Sequence, residues 1–563
     1  MPLPVEHVMP ELFEALVQSH AVLASPPGSG KTTRVPLALL QQPWLSGKKI
    51  LMLEPRRPAV RMAAAYMAGQ LGEKPGETVG YRMRMERRVG PHTRIEVLTE
   101  GLFIRKLQED PELTGVGLVI FDEFHEQSLD SELGLSLCLD VCDALREELR
   151  LLVMSATLDE QAVADLIGGK AIVSDGGLHP VTLHHLSRSA GREVLPATHR
   201  LIHRALREQE GDVLVFLPGK GEINRLEARL KEELVPADLF QLHGEMDAAS
   251  QALVLTPQPA HRRRVILATD VAETSLTIEG ISSVVDSGLA RKPVFDPNSG
   301  LSRLTTQPIP QASASQRAGR AGRLGPGTCY RAWTETEHGS RPFQRPAEIR
   351  QADLAPLVLQ LALWGVTGPG SLHWLNPPPA PAWRQGVALL EKLEALDGEG
   401  RITPHGREMA VTGLHPRLAH MLIRGGRNSP TAADLAALLS DRDPWRRGNQ
   451  PFSPVDIGLR LDALEAMRQG SAPRHHFDAH RLRQLLQLSD RLRSRTRHLD
   501  AATAPFSAAT LLSLAYPERI ARRRDAGSGR YPGFLTTPLE IGLFLLHKAR
   551  ATKHLPATRE RGL

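Results

Sequence analysis

Cysteine, aromatic residues and long apolar runs are all scarce in this chain of 563 residues. Its three cysteines, Cys138, Cys142 and Cys329, cannot build a disulfide framework and read as reduced core thiols of a cytosolic protein. Aromatics are 4% of residues, too few for a nucleic-acid grip built on extensive base stacking. No apolar run reaches the ~18–20 residues of a membrane span. The opening MPLPVEHVMPELFEAL has no basic stretch followed by an apolar one, so no secretory signal is read there. Apolar residues at 41% and charged residues at 23% describe an ordinary globular protein and exclude a disordered tail or a collagen-like rod. At roughly 100–200 residues per domain, about three to five domains are expected.

The formal charge is +6, and its placement is more telling than its size. From Arg474 to His498 there are seven arginines against two acids, Asp478 and Asp490, and four more arginines follow at Arg519, Arg522, Arg523 and Arg524. A basic C-terminal region suits a phosphate-backbone binder; a solvated helix face would look the same.

The first half repeats one rhythm of short apolar run, turn and helical pattern. The runs are Ala21–Ala24, Ile50–Leu53, Leu118–Phe121 and Leu151–Met154, then Val213–Leu217, Val265–Ala268 and Val284–Val285. Strands that read as continuously apolar and alternate with helices predict parallel α/β sheets, here in two tandem lobes divided near Ser174–Arg192. After about Arg345 Leu/Ala-rich helical patterns take over. GRITPHGREMAV is expected to form a short hairpin wing, and Pro377, Pro378 and Pro379 a rigid interruption.

Three segments carry chemistry. In AVLASPPGSGKTT a strand runs into a Gly-bearing turn and a helix opens at Lys31–Thr33. Backbone N–H groups of Gly28, Ser29 and Gly30 can converge on phosphate oxygens at the positive end of that helix. Lys31 would reach the β- and γ-phosphates and Thr32 would ligate Mg²⁺. The strict loop pattern wants glycine where this chain has Ser25, followed by Pro26 and Pro27. In VGLVIFDEFHEQ, Asp122 ends an apolar strand and can hold the metal, while Glu123 can polarise the attacking water. In QRAGRAGR, Arg320 and Arg323 lie three apart, on one face if helical, and can neutralise a transferring phosphate.

Taken together and in order, these blocks resemble superfamily 2 helicases of the DEAH/RHA group. The resemblance runs from Ala21 to about Arg524. It adds LEPRR (Leu53–Arg57), LTEG (Leu98–Gly101), SAT (Ser155–Thr157), VLVFLPG (Val213–Gly219) and ATDVAETSLTIEG (Ala268–Gly280). DEFH at Asp122–His125, with the proline-bearing loop, is most similar to the bacterial HrpB-type branch. The family implies an α/β fold of two RecA-like parallel-sheet lobes followed by a mostly helical part, a winged helix plus a helical ratchet bundle. The expected boundaries are 1–178, 179–345, 346–415 and 416–531, with a tail at 532–563 left unassigned.

The resemblance also implies roles. Glu123, Lys31, Gln316, Arg320 and Arg323 would be catalytic, the last three reaching across the cleft. Gly28, Ser29, Gly30, Lys31, Thr32 and Thr33 would bind nucleotide, joined by Ser275, Thr277 and Glu279 and by Tyr66 against the base; Thr32 and Asp122 would hold Mg²⁺. His125, Ser155 and Thr157 would couple nucleotide state to lobe movement. Arg56, Arg57, Thr99 and Gly101 would hold the nucleic-acid backbone, and the basic residues Arg491, Arg493 and Arg495 are expected to add contacts. FDPNSGLSRLTTQPIP, Phe295 to Pro310, falls where the family has a strand-separating β-hairpin. Relatives of this branch run well past this length, and the sequence after about Tyr531 does not read like their continuation, so a shortened C-terminal end is expected.

The expected function is an ATP- and Mg²⁺-dependent helicase or translocase, acting as a cytoplasmic monomer on RNA, single-stranded or with a single-stranded overhang, with DNA left open and no membrane partner. Two alternatives remain: a clamping or remodelling ATPase that does not unwind, and a truncated nucleic-acid-binding protein of impaired activity. Backbone grip makes low sequence specificity and a steep salt dependence the expectation.

Overall fold

The computed structural model describes residues 3–519, apart from 27, 85, 157–158, 175–178, 247, 256–261, 274–277, 297–300, 324, 427, 447–455, 472–475 and 500–505. The expectations for Thr157, Ser275, Thr277, Arg522–Arg524 and the 532–563 tail lie outside the described residues. The chain divides into two compact units. One takes in two sheets and returns for residues 369–378; the other holds 353–368 and the chain from 379 onward.

In the first unit, the leading sheet contains β1 (His20–Ala24), β2 (Lys49–Glu54), β3 (Val79–Met83), β4 (Glu86–Arg88), β5 (Ile95–Thr99), β6 (Val116–Phe121), β7 (Arg150–Ser155) and β8 (Gly169–Val173). Their spatial order is β4-β3-β5-β2-β6-β7-β1-β8, with every pairing parallel except β3–β4. All six residues of β6 are buried, as the unbroken apolar run predicts for a strand covered on both faces. The helices that cover it begin on sequence-legible caps. Ser128 accepts from Ser131 N–H to start Leu129–Ala144, and Asp159 accepts from Ala162 N–H to start Glu160–Ile167.

The second sheet contains β9 (Val181–His184), β10 (Asp212–Phe216), β11 (Asp238–Leu242), β12 (Arg264–Ala268), β13 (Ile281–Asp286) and, after the paired strands β14 (Leu289–Asp296) and β15 (Leu301–Pro308), β16 (Gly327–Arg331). Its order is β11-β12-β10-β13-β16-β9, wholly parallel. β14 and β15 form an antiparallel hairpin, in register from Leu289–Pro308 to Asp296–Leu301, whose first strand begins six residues before the Phe295–Pro310 segment where one was expected. Arg317, with no exposed surface, locks this lobe from inside. It donates to Glu273 Oε2 and Asp286 Oδ1, both at 2.9 Å, and its guanidinium lies 4.8 Å from the centre of the Phe216 ring. The fold is therefore two parallel-sheet RecA-like lobes with a helical C-terminal part.

The second unit is helical. Three successive helices, Pro404–Val411, Pro416–Arg424 and Pro430–Ser440, start in one way: a capping side chain (Thr403, His415, Ser429) accepts a backbone N–H, and proline takes the first helical position. This corrects the expected hairpin wing in GRITPHGREMAV. Only a single antiparallel bridge, Leu396–Ile402, forms there, because the Thr403 cap and Pro404 commit the following residues to helix. A second core gathers Leu418, Met421, Leu435, Leu464, Leu485 and Leu511.

No helix among the described residues is long and apolar enough to cross a membrane.

Candidate active site

The sheet order puts the chemistry at one edge. β7 lies between β1 and β6, with Ala24 paired to Ser155 and Phe121 to Val153, so the carboxyl ends of all three strands open on the same side. Open parallel sheets bind ligands there. The turn after β1 carries Gly28 and Gly30 at φ +88° and +93°, a left-handed conformation that side chains strain. Gly30 leads directly into helix Lys31–Leu39, whose first N–H groups face out of its N-terminal end, Thr33 lying in the opening turn. Ser29 is buried, and its carbonyl accepts from Val5 N–H at 3.4 Å.

Lys31 is buried at 3% exposure, and its Nζ has no hydrogen-bond partner. The nearby charge is Glu123 Oε2, 3.8 Å away. A buried ammonium with open donors is costly unless an anion arrives, which is what a phosphate would supply. Thr32 donates its hydroxyl to Asp122 Oδ2 at 2.5 Å, so two oxygen ligands suited to a hard cation already converge.

Glu123 sits at φ +51°, unusual for a residue with a side chain, and its N–H donates to Asp122 Oδ1 at 2.8 Å. Burial works against its charge, but Lys31 foremost, with His125, Arg320 and Arg56, holds its carboxyl below the ordinary range. His125 Nδ1 accepts from Ala156 N–H at 3.4 Å, leaving Nε2 facing Glu123 Oε2 at 3.4 Å. Burial keeps that imidazole neutral. His125 thus connects Glu123 to the segment after β7, where Ser155 is buried and its carbonyl accepts from Ser25 N–H at 2.9 Å.

From the second lobe come Gln316, Arg320 and Arg323. Helix Gln311–Gly319 ends before the two arginines, so their three-residue spacing is realised in successive turns and not on one helix face. Gln316 is buried. Arg320 donates from Nε to the Glu273 carbonyl at 3.2 Å. A Cβ placed on Gly28 would lie 3.6 Å from Arg323 Nε, which brings this guanidinium against the phosphate loop of the other lobe. Burial lowers the pKa of both arginines, that of Arg323 to about 10, and Arg323 lowers that of Arg320 further; Glu123 opposes the shift in each.

The other predicted residues lie further out. Arg56 spans the lobes, donating to Glu126 Oε2 at 3.1 and 3.3 Å and to the Asp270 carbonyl at 2.8 Å, so it ties protein to protein here. Arg57 and Gly101 are exposed and Thr99 is half-buried; an Asp130 carboxylate oxygen stands 2.9 Å from where a Gly101 Cβ would be. Tyr66 is 52% exposed on helix Arg57–Gln70, and Glu279 is exposed. In the second unit Arg491 is exposed, Arg493 lies 3.7 Å from Asp490, and Arg495 donates to the carbonyls of Val411 and Thr412.

Glu54 carries no expectation of its own, yet it ends β2 without exposed surface, one residue past the Leu53–Phe121 pair that aligns it with Asp122. Burial and the carboxylates of Asp122 and Glu123 push its pKa well up, so it holds its proton. The available signal was an acid closing a buried apolar strand, KILMLE.

The DEAD/DEAH box helicase family matches residues 7–166, and the helicase conserved C-terminal domain matches 194–325. The ATP-dependent RNA helicase HrpB of Escherichia coli (strain K12) is 42% identical over 534 residues, 94% of this chain and 63% of that protein. The pre-mRNA-splicing factor ATP-dependent RNA helicase prp22 of Schizosaccharomyces pombe is 32% identical over 467 residues, 81% of this chain and 40% of that protein. The crystal structure of the Escherichia coli DEAH/RHA helicase HrpB superposes with a TM-score of 0.81 at 40% identity, covering 94% of this chain and 65% of that one. This chain thus spans somewhat under two thirds of the length of HrpB. With both helicase lobes matched and Arg323 lying against the Gly28 loop, the chain belongs to the superfamily 2 DEAH/RHA helicases, on the side of their bacterial HrpB-type branch.

Proposed function

We propose that this chain is an ATP-dependent helicase or translocase acting on RNA, single-stranded or bearing a single-stranded overhang, and that hydrolysis between its lobes drives movement along one strand. The observation that carries this reading is the approach of Arg323 to Gly28, with Arg320, Lys31 and Glu123 in the same cleft. The relatives described as ATP-dependent RNA helicases, HrpB and prp22, support it.

In this reading Lys31 and the loop amides bind the triphosphate from the first lobe, and Arg320 and Arg323 bind it from the second. Thr32 and Asp122 would hold Mg²⁺, which would supply neutralisation of phosphate charge. Glu123, kept ionised by Lys31, orients and deprotonates the attacking water. Loss of the γ-phosphate removes the contact that favours the closed arrangement, so the lobes part. Neutral His125, between Glu123 and the Ala156 amide, passes that change to the segment after β7. We further assign residues 1–178 and 179–345 to the lobes, 346–415 to a winged-helix domain whose wing is reduced to the Leu396–Ile402 bridge, and 416–531 to a ratchet-like bundle, and place the protein in the cytoplasm as a monomer.

The test is Lys31→Ala and Glu123→Gln in an ATPase assay with single-stranded RNA, single-stranded DNA and neither. Glu123→Gln is expected to lose about 10²–10⁴ in kcat while still binding ATP. RNA-stimulated turnover surviving either change overturns the site. Strand displacement on a duplex with a 3′ overhang separates unwinding from clamping.

A further inference from the structure

On the second lobe, outside the nucleotide site, three side chains converge that nothing above uses. His199 and His203 stand four apart on helix Val194–Glu208, so they project from one face. Glu233 follows the end of helix Lys220–Glu232, which packs alongside. Glu233 Oε2 lies 2.7 Å from His199 Nε2 and 2.8 Å from His203 Nε2, and the two imidazole nitrogens are 3.3 Å apart. Among the described residues this is the one trio of histidine, cysteine or acidic side chains with ligand atoms close enough to share an ion.

We propose that His199, His203 and Glu233 form a binding site for a first-row divalent transition metal, Zn²⁺ foremost.

The spacing is that of a coordination sphere. Tetrahedral ligands about 2.0–2.1 Å from zinc stand about 3.3 Å from one another, the separation the imidazole nitrogens already have. The carboxylate oxygen has to retreat by about 0.5 Å, which a partly exposed terminal side chain can do. Two imidazoles and a carboxylate are the ligand set zinc favours over magnesium or calcium. Without a cation the arrangement is awkward: if both Nε2 atoms carry hydrogen, two donors crowd one acceptor and face each other.

The surroundings suit ligation. His199 is buried while His203 is about a third exposed, leaving solvent a path to a fourth position. Arg229 Nε donates to the other oxygen, Glu233 Oε1, at 3.2 Å, which fixes the carboxylate as a single-oxygen ligand. Bound metal would join two helices on the outside of the second sheet and stabilise this lobe.

The experiment uses the full chain, stripped with a chelator and held in excess Mg²⁺ so that the nucleotide site is occupied by its own cation. Zn²⁺ is titrated by equilibrium dialysis, and Co²⁺ by its d–d absorption. The wild type is expected to bind about one equivalent more than His203→Ala, to show the absorption of low-symmetry Co²⁺ with nitrogen ligands, and to melt at a higher temperature with Zn²⁺. Arg229→Ala, an exposed change that removes no ligand, should weaken binding by roughly 10–100-fold. It also keeps the test alive if His203→Ala does not fold. Equal stoichiometry and affinity in wild type and both variants, or no binding by the wild type, overturns the site and leaves a hydrogen-bonded helix clasp.

Discussion

Replacing Arg323 with alanine should separate stability from turnover in opposite directions. The side chain lies against Gly28 of the phosphate loop and beside Arg320. Burial drags its pKa down to about 10, with Glu123 resisting, a penalty on the charged form on the order of 3 kcal/mol. At pH 7 it is cationic folded or unfolded, so until a phosphate arrives the folded cleft holds two crowded guanidinium groups with Glu123 as the neighbouring anion. Truncation relieves that crowding, and the nucleotide-free melting temperature should stay level or rise. Catalysis should move the other way. A guanidinium on the transferring phosphate is worth about 10³–10⁵ in rate, and even the lower figure is about 4 kcal/mol of barrier. Steady-state ATPase with and without single-stranded RNA, run beside thermal melts with and without nucleotide, reads both quantities. Arg323→Lys keeps the charge without the fork and should fall between. If Arg323→Ala turns over within tenfold of wild type, or is destabilised before any nucleotide is added, Arg323 is a structural residue and does not act on the phosphate.

Two further outcomes follow from buried charge. Arg317→Ala leaves the Asp286 carboxylate buried without its guanidinium and Glu273 with the more distant Arg345, and should cost about 3–5 kcal/mol in chemical denaturation; an unchanged midpoint would contradict the lock described for the second lobe. Glu100 is pushed up to about 8, chiefly by burial and against the Ser128 hydrogen bond, while the unfolded chain releases this proton near pH 4.5. Its contribution to stability is therefore full below about pH 4.5 and lost as pH rises through 8, on the order of 5 kcal/mol across the window. Unfolding measured from pH 6 to 9 should show Glu100→Gln losing less stability than wild type; parallel curves would mean that Glu100 is ionised in the fold.

The two-lobe α/β fold was legible because its evidence is local. Strands such as Val116–Phe121 are buried on both faces, so the burial writes itself into an unbroken apolar run. Helix starts in the second unit were legible in principle as well, yet GRITPHGREMAV misled: Ile402 does pair across to Leu396, and the helix began two residues later at Pro404. Residues whose surroundings come from distant segments were harder. Arg56 stands in LEPRR as a cation with no visible neighbour; only the fold brings the Glu126 carboxylate and the Asp270 carbonyl to it. His199 and His203 advertise one helix face, but nothing in the sequence places Glu233 between them.

Glu54 makes the limit concrete. Three acids meet at the ends of β2 and β6, and the interior cannot hold three adjacent negative charges. One must keep its proton, and the environment selects which. Glu123 has Lys31 at 3.8 Å and His125 at 3.4 Å, and Asp122 has the Thr32 hydroxyl and the Glu123 amide. Glu54 has no exposed surface and no cation among the groups that act on it; it faces Asp122, to which its protonated carboxyl can donate. The proton therefore stays on Glu54; Glu123 is left as an anion, and Asp122, which burial and then Glu123 push up to about 6, ionises above that pH. A neutral acid behind two working carboxylates is a consequence of strand register, and register appears only when β2 and β6 are laid side by side.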